Sequence, residues 1–317
     1  MRHCAAPRRA AINGEAVKTV ACSRHQGSAT FPPGADLTLS LRALLKMQLK
    51  RMASSASSRN RSIVGRPAGE DKMKFAAIAD VHGNCPALEA VLGDIAELGI
   101  REIVNLGDHV SGPLEAVRTA DLLMERGFPS VQGDQDRILV ELWRGGKSTR
   151  SDFSQLERRH FEWMAGMPPT LAYRENVFLC HASPKDDAAF WLDHVTADGS
   201  VRASPIDTIE TGAGGIDAEL ILCGHTHIPR VVRLRDGRMV VNPGSVGLPG
   251  YDGRTPVPYV VEVGTPHACY AILERTRAGW SATLRYVPYD STAMAALARD
   301  KGMPSWASAI ASGWVER

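Results

Sequence analysis

Asp80 and His82 are separated by one valine and follow a run of small and apolar residues, Phe75 to Ala79. On extended backbone, residues two apart point to the same side. A carboxylate and an imidazole can therefore converge on one point, which is half of a metal site. The conjunction recurs along the chain. Apolar runs end in Gly107-Asp108, in Gly133-Asp134-Gln135-Asp136, in His181 and in Gly224-His225-Thr226-His227. Each is commonplace alone, since Asp after Gly is frequent in turns and a buried His is more often a satisfied core residue than a ligand. Together they are five apparent strands that each end in donors, and α/β sheets bind ligands beyond the carboxyl ends of their strands. Asp80, His82, Asp108, Asp134, His181, His225 and His227 suffice for two divalent metal ions that share one carboxylate. Mixed nitrogen and oxygen ligation favours manganese, with iron, zinc, nickel or magnesium as alternatives.

The elements that must position these donors alternate from Met73 onward. Phe75–Ala79 reads as a strand buried on both faces. Pro86 suits the first turn of a helix with an apolar face at Leu88, Val91, Leu92, Ile95 and Leu98, stopped by Gly99. A strand over 102–106 and a helix from Pro113 to Arg126 follow. A short strand over 130–132 leads to a helix through Ile138, Leu139 and Leu142, and residues 151–167 read as an amphipathic helix. After Pro168-Pro169 the pattern changes to short strands at 171–173, 176–180, 219–223, 231–234, 238–241, 258–263, 269–274 and 281–287. Asp236-Gly237 marks a hairpin, residues 185–215 read as irregular, and a final helix starts at Ser291.

The 317 residues are 44% hydrophobic and 23% charged, ordinary for a globular protein. No run approaches the roughly 18 apolar residues that span a bilayer, so no membrane partner is expected. The six cysteines are scattered, without a CxxC pair, which points to a reducing, cytoplasmic setting. The net charge of +2 is divided unevenly. Residues 1–72 hold 13 Lys/Arg and 4 Asp/Glu, whereas the remainder holds 24 and 31. An acidic folded part argues against nucleic acid as a partner and suits a small substrate; a homo-oligomer is compatible with it. Residues 1–72 read as a disordered basic extension, with one amphipathic stretch over 37–49. Their Arg- and Ser-rich, acid-poor makeup resembles a transit peptide, and a start codon called too early, with Met73 the working start, explains it equally. Residues 73–317 form the expected functional domain.

Asp80-Val81-His82-Gly83-Asn84, Gly107-Asp108, Gly133-Asp134-Gln135-Asp136, His181-Ala182-Ser183-Pro184 and Gly224-His225-Thr226-His227 together resemble the calcineurin-like metallophosphoesterase superfamily. His82-Gly83-Asn84, the Ile228-Pro229 extension and Asn242–Gly247 are similar to its small bacterial and archaeal phosphodiesterase branch. The likeness spans about residues 73–290. It implies an α/β fold, a four-layer αββα sandwich of two mixed β-sheets. It also implies one cation held by Asp80, His82, Asp108 and His227, and another by Asp108, Asp134, His181 and His225, with Asp108 bridging. Two cations about 3.5–4 Å apart polarise a phosphoryl oxygen and ready a water for attack, so the implied substrate is a small phosphate ester, a diester above all. Asn84 would contact a phosphate oxygen, and the Asn242–Ser245 loop would support the rim. The same fold serves as a scaffold subunit in the retromer complex, so a catalytically weak or inactive binding module is the alternative; a scaffold has no reason to keep this donor set.

Two positions depart from the family pattern, whose third motif reads Gly-Asn-His-Asp/Glu. Asp134 replaces an amide ligand with a carboxylate, which should bind the metal more tightly and leave it a weaker Lewis acid. Gln135 replaces a histidine that commonly protonates the leaving group, a loss worth about 10²–10⁴-fold that good leaving groups would feel least. His109 is the candidate to stand in as acid or phosphate contact. Tyr251, Arg254 and Tyr289 are candidates for the pocket rim, although ordinary surface positions are the weightier reading.

Overall fold

The apolar run ahead of Asp80 does not alternate, and the structure buries it on both sides. The computed structural model describes residues 73–146 and 155–316, within one unit, Gly69–Arg317. The expectations for residues 1–72, and for a helix beginning at Ser151, lie outside the described residues. Strand β1 (Lys74–Ile78) pairs parallel with β2 (Ile103–Asn105) and antiparallel with β12 (Ala268–Thr276). With β13 (Gly279–Val287) they form a sheet in the order β13-β12-β1-β2. A second sheet runs β3 (Thr170–Tyr173), β4 (Val177–Cys180), β7 (Leu220–Leu222), β9 (Met239–Asn242), β8 (Arg230–Arg233). Its three central strands are parallel and its edges antiparallel.

Phe75, Ala77 and Ala79 face the second sheet and meet Leu179, Leu220, Leu222 and Val241. Ala76 and Ile78 face the other way, onto Leu88, Val91 and Ile95 of α1 (Cys85–Glu97) and Leu123 of α2 (Ala116–Arg126). On the far side of the second sheet, Ile221, Cys223 and Val240 pack against Trp191, Leu192 and Ile209 of α5 (Ile206–Gly212). The architecture is therefore the expected αββα sandwich of two mixed sheets. Ile78, Leu179, Leu220 and Leu222 are wholly buried, and each such side chain contributes roughly 1.5–3 kcal/mol. That frame fixes the strand ends to which the donors are attached.

Several elements differ from the sequence reading. The strand expected over 130–132 is reduced to a single bridge, Asn105 to Ser130. The second helix begins at Ala116, not at Pro113, and the chain before it carries Ser111 to the His82 ring. Asp134 lies in the first turn of α3 (Asp134–Arg144), whose N-cap Gly133 is extended at φ −83° and ψ 168°. Asp136 accepts from the Gly133 N–H at 3.0 Å, so the cap interaction starts the helix and turns Asp134 inward. Two carboxylates at a helix N-terminus also complement its dipole. The segment read as irregular contains a hairpin, β5 (Asp193–Val195) and β6 (Val201–Ala203), as well as α5. A second unforeseen hairpin pairs β10 (Gly250–Gly253) with β11 (Tyr259–Glu262). The residues read as a helix over 151–167 are helical in α4 (Arg158–Ala165). Two helices close the chain, α6 (Thr292–Asp300) and α7 (Pro304–Ser312), packing on Leu114 and Leu248. Among the described residues no helix is long and apolar enough to cross a membrane.

Candidate metal centre

Local backbone geometry marks the site. Asp80, His82, Asp108, His225 and His227 have φ of 54°, 49°, 55°, 68° and 59°, and among the described non-glycine residues only Arg174 shares that region. Left-handed backbone costs an L-residue up to roughly 1–2 kcal/mol, less for Asp, so five such positions need support from their surroundings. The loops are held by bonds from outside themselves. Asp80 N–H donates to Gly107 O at 3.0 Å and His82 N–H to Asp108 O at 3.0 Å. Ser245 Oγ donates to Asp80 O at 2.7 Å and accepts from Leu248 N at 2.8 Å. Asn242 Nδ2 donates to Gly224 O at 2.7 Å and Thr226 Oγ1 at 3.1 Å. The Asn242–Ser245 loop thus supports the backbone that carries the donors.

The strand ends and, for Asp134, the start of α3 bring all seven sequence-predicted donors together. Asp80, His82 and His227 form one group, Asp134, His181 and His225 a second, and Asp80, Asp108 and His181 a third, with the donor atoms of each group within 4.8 Å of one another. Asp108 faces both halves, with Oδ2 3.8 Å from His82 Nε2 and Oδ1 3.5 Å from His181 Nε2. Asp134 Oδ1 lies 3.2 Å from His181 Nε2 and 3.2 Å from His225 Nδ1. All except His225 are buried.

The tautomers test whether a cation fits. A carbonyl oxygen only accepts, so the ring nitrogen facing it must donate. His181 Nδ1 lies 2.7 Å from Leu106 O, His227 Nδ1 2.6 Å from Leu248 O, and His82 Nδ1 3.2 Å from Ser111 O and 2.8 Å from its Oγ. All three rings therefore aim Nε2 inward, and His82 Nε2 sits 3.0 Å from His227 Nε2. Lone pairs and carboxylates converge where only protons or cations can lie between them. Cis ligands of one ion at about 2.1 Å are about 3.0 Å apart, so the spacing fits a divalent ion.

The site's protonation follows from the same crowding. Burial, then the charge of His227, lowers the His82 pKa to about 3. Burial opposes ionisation of Asp80, yet the adjacent imidazoles, His227 foremost, hold its carboxyl below the usual range. Burial also opposes ionisation of Asp134, but hydrogen bonds from His181 and His225 depress its pKa strongly. Asp108 is pushed well above the carboxylate range, by burial and by Asp134, Asp136 and Asp80 against the pull of His181. Burial works against a charge on His181, but Asp108 and Asp134 raise its pKa well above normal.

Asn84, His109 and Gln135, the residues weighed for catalysis, differ in what surrounds them. Asn84 is fully buried. Its Nδ2 donates to Gly247 O at 2.8 Å and Tyr289 Oη at 2.9 Å, while its Oδ1 caps α1 by accepting from Ala87 N at 3.3 Å. Its hydrogen-bonding groups are thus engaged within the fold. His109 is also fully buried, its Nδ1 2.7 Å from Asp136 Oδ2 and its ring 5.1 Å from Trp163. It has no exposed surface to offer a leaving group. Gln135 is half-buried, with Nε2 donating to Asp134 Oδ2 at 2.7 Å and its backbone N–H to Asp108 Oδ1 at 3.0 Å.

Sequence reasoning gave Asp136 no role of its own and did not name Phe190 or Trp306. Asp136 accepts from the backbone of Asp108, His109 and Gly133; the only signal was its place two residues past Asp134. Tyr251 has its ring 4.7 Å from His227, Phe190 5.6 Å from His225, and Trp306 5.7 Å from His82. Tyr251, a candidate for the rim, packs on a site imidazole. Tyr289 meets Asn84, while Arg254 lies on a neighbouring cleft.

Residues 73–265 match the family model of the calcineurin-like phosphoesterase superfamily domain. An uncharacterised protein of Methanocaldococcus jannaschii is 27% identical over an alignment of 212 positions, and the match covers 56% of this chain and 78% of that one. The crystal structure of a metallophosphoesterase from Sphaerobacter thermophilus is 25% identical with a TM-score of 0.57, covering 77% of this chain and 100% of the other.

Proposed function

Because this chain belongs to the calcineurin-like phosphoesterase superfamily, we propose that it hydrolyses small organic phosphodiesters, using two divalent cations of which manganese suits the mixed donors best. Asp80, His82, Asp108 and His227 would hold one ion, and Asp108, Asp134, His181 and His225 the other. The observation that carries this reading is the division of Asp108, with Oδ2 toward His82 and Oδ1 toward His181. Bound cations supply Lewis acidity and make water nucleophilic at neutral pH.

The chain's own residues set the geometry. Carbonyl bonds to Nδ1 keep His82, His181 and His227 in the tautomer that offers Nε2. Gln135 holds Asp134 Oδ2 and so leaves Oδ1 to the two imidazoles. Gln135 has no proton to give, and neither Asn84 nor His109 reaches a substrate. The alcohol must leave largely on its own acidity, so activated esters are the favoured substrates. Phe190, Tyr251 and Trp306 pack edge-to-face on His225, His227 and His82. Cys85, Cys180, Cys223 and Cys269 are buried and unpaired, which suits a cytoplasmic setting.

The test pairs elemental analysis with turnover. Protein stripped with EDTA and reloaded with Mn²⁺ is assayed on bis-p-nitrophenyl phosphate beside Asp108→Ala. Two ions per chain and metal-dependent release of nitrophenolate, both lost in the variant, support the reading. One ion per chain removes the dinuclear part. Two ions with no turnover on any phosphodiester would replace the enzyme with a binding module.

A further inference from the structure

A cleft of ≈ 700 Å³ is walled on one side by Gly199 and Ser200 in the β5–β6 turn and on the other by Asp252, Arg254 and Tyr259 of the β10–β11 hairpin. That volume is in the usual range for a small-molecule site. One wall of the cleft is linked to the metal centre through ring contacts. The Tyr259 ring lies 5.5 Å from Phe190, which touches His225, and 6.2 Å from Tyr251, which touches His227. The β5–β6 hairpin is anchored to the loop that carries His225 and His227. Asp193, the first residue of β5, is paired with Arg230 and accepts from Thr226 Oγ1 at 3.4 Å, between the two histidines. The walls meet where Gly199 allows it. Its φ is +81°, and a Cβ there would fall 2.3 Å from Pro258 O.

We propose that this cleft is a subsite for the organic group that stays on the phosphorus, and that it selects a planar heteroaromatic group of nucleoside size. Tyr259 supplies an aromatic wall, and the exposed side chains of Arg254 and Asp252 supply a donor and an acceptor for the ring's polar edge. This rests on the phosphodiesterase reading and names the substrate class that reading left open. Stacking on an aromatic side chain accepts any base, so the subsite selects for an aromatic group without choosing among bases.

Two esters with one leaving group test it, thymidine 5′-(p-nitrophenyl phosphate) and methyl p-nitrophenyl phosphate. Both release nitrophenolate and differ only in the group retained. With Mn²⁺ present, Tyr259→Leu should raise KM for the thymidine ester about tenfold, leave KM and kcat for the methyl ester unchanged, and be rescued by Tyr259→Phe. Gly199→Ala should lower the preference for the thymidine ester in the same way. Equal changes on both esters, or none on either, overturn the subsite. If the wild type cleaves neither ester, the phosphodiesterase reading fails on its own. Calorimetric titration with thymidine 5′-monophosphate then decides the cleft. Binding that is weakened in Tyr259→Leu and restored in Tyr259→Phe supports it, and absent or unaltered binding overturns it.

Discussion

Asp136 reaches the donor cluster only through backbone N–H groups, yet its loss should disable the site. Its Oδ2 accepts from Asp108 N at 2.9 Å, Gly133 N at 3.0 Å and His109 Nδ1 at 2.7 Å, and its Oδ1 accepts from His109 N at 3.0 Å. All four donors are buried. An unpaired buried donor costs about 1–3 kcal/mol, so Asp136→Ala should lose at least about 4 kcal/mol, much of a stability of roughly 5–15 kcal/mol. Asp136→Asn keeps one oxygen and turns its NH₂ against a single donor, so its cost should be about 1–3 kcal/mol. Burial raises the Asp136 pKa, but His109 and the backbone N–H groups outweigh it and hold the carboxyl below its ordinary value. A depressed folded pKa gives stability that is present above the unfolded carboxylate pKa and lost as pH falls through the folded one. The variants' deficit should therefore be full at pH 7 and shrink only in strong acid. Urea unfolding in EDTA reads stability free of metal, and titration with Mn²⁺ should show affinity reduced about 10–100-fold. An Asp136→Ala protein that loses under about 1 kcal/mol and binds Mn²⁺ normally would refute this account of how Asp108 is aimed.

Three further outcomes follow from the geometry. In Gly133→Ala the Cβ would fall 2.1 Å from Asp108 Oδ1 and 2.4 Å from its backbone N. With φ at −83° there is no backbone strain, so the substitution should displace Asp108 and weaken Mn²⁺ binding at least about tenfold; unchanged calorimetric affinity would contradict the placement. Burial raises the Asp193 pKa despite Arg230, so protonation of Asp193 favours the fold. Arg230→Met strands that charge at a cost of about 3 kcal/mol, the low end because Arg230 is partly exposed. Urea melts should show the deficit at pH 8 and its reduction as pH falls through the raised pKa, and a deficit independent of pH would count against it. Asp108 and His181 both titrate above their ordinary ranges, burial raising the first and Asp108 outweighing burial at the second. Metal must therefore displace protons, and affinity should rise with pH. Calorimetry in two buffers of different ionisation enthalpy should find at least one proton released per chain at pH 7, and none released would be the contrary result.

The donors were legible because their signal is local: a strand end, a short spacing, a residue type. The two-sided burial of β1 was legible for the same reason, since a run without alternation has only one stable environment. What could not be read is what depends on distant partners. Asn84 looks like a free amide in Asp80-Val-His-Gly-Asn84, but Gly247 and Tyr289 arrive from the far end of the chain to engage it. His109 looks available beside Asp108 until Asp136 and Trp163 bury it. Tyr251 reads as surface because nothing local says that a hairpin will lay its ring on His227. The left-handed backbone at five donor positions belongs to the same class. Local preference runs against it, and only bonds from other loops and the buried strands beneath can hold it there. The strain and the apolar frame are two sides of one arrangement: rigid sheets let short loops keep conformations in which side chains that would repel one another face a common point.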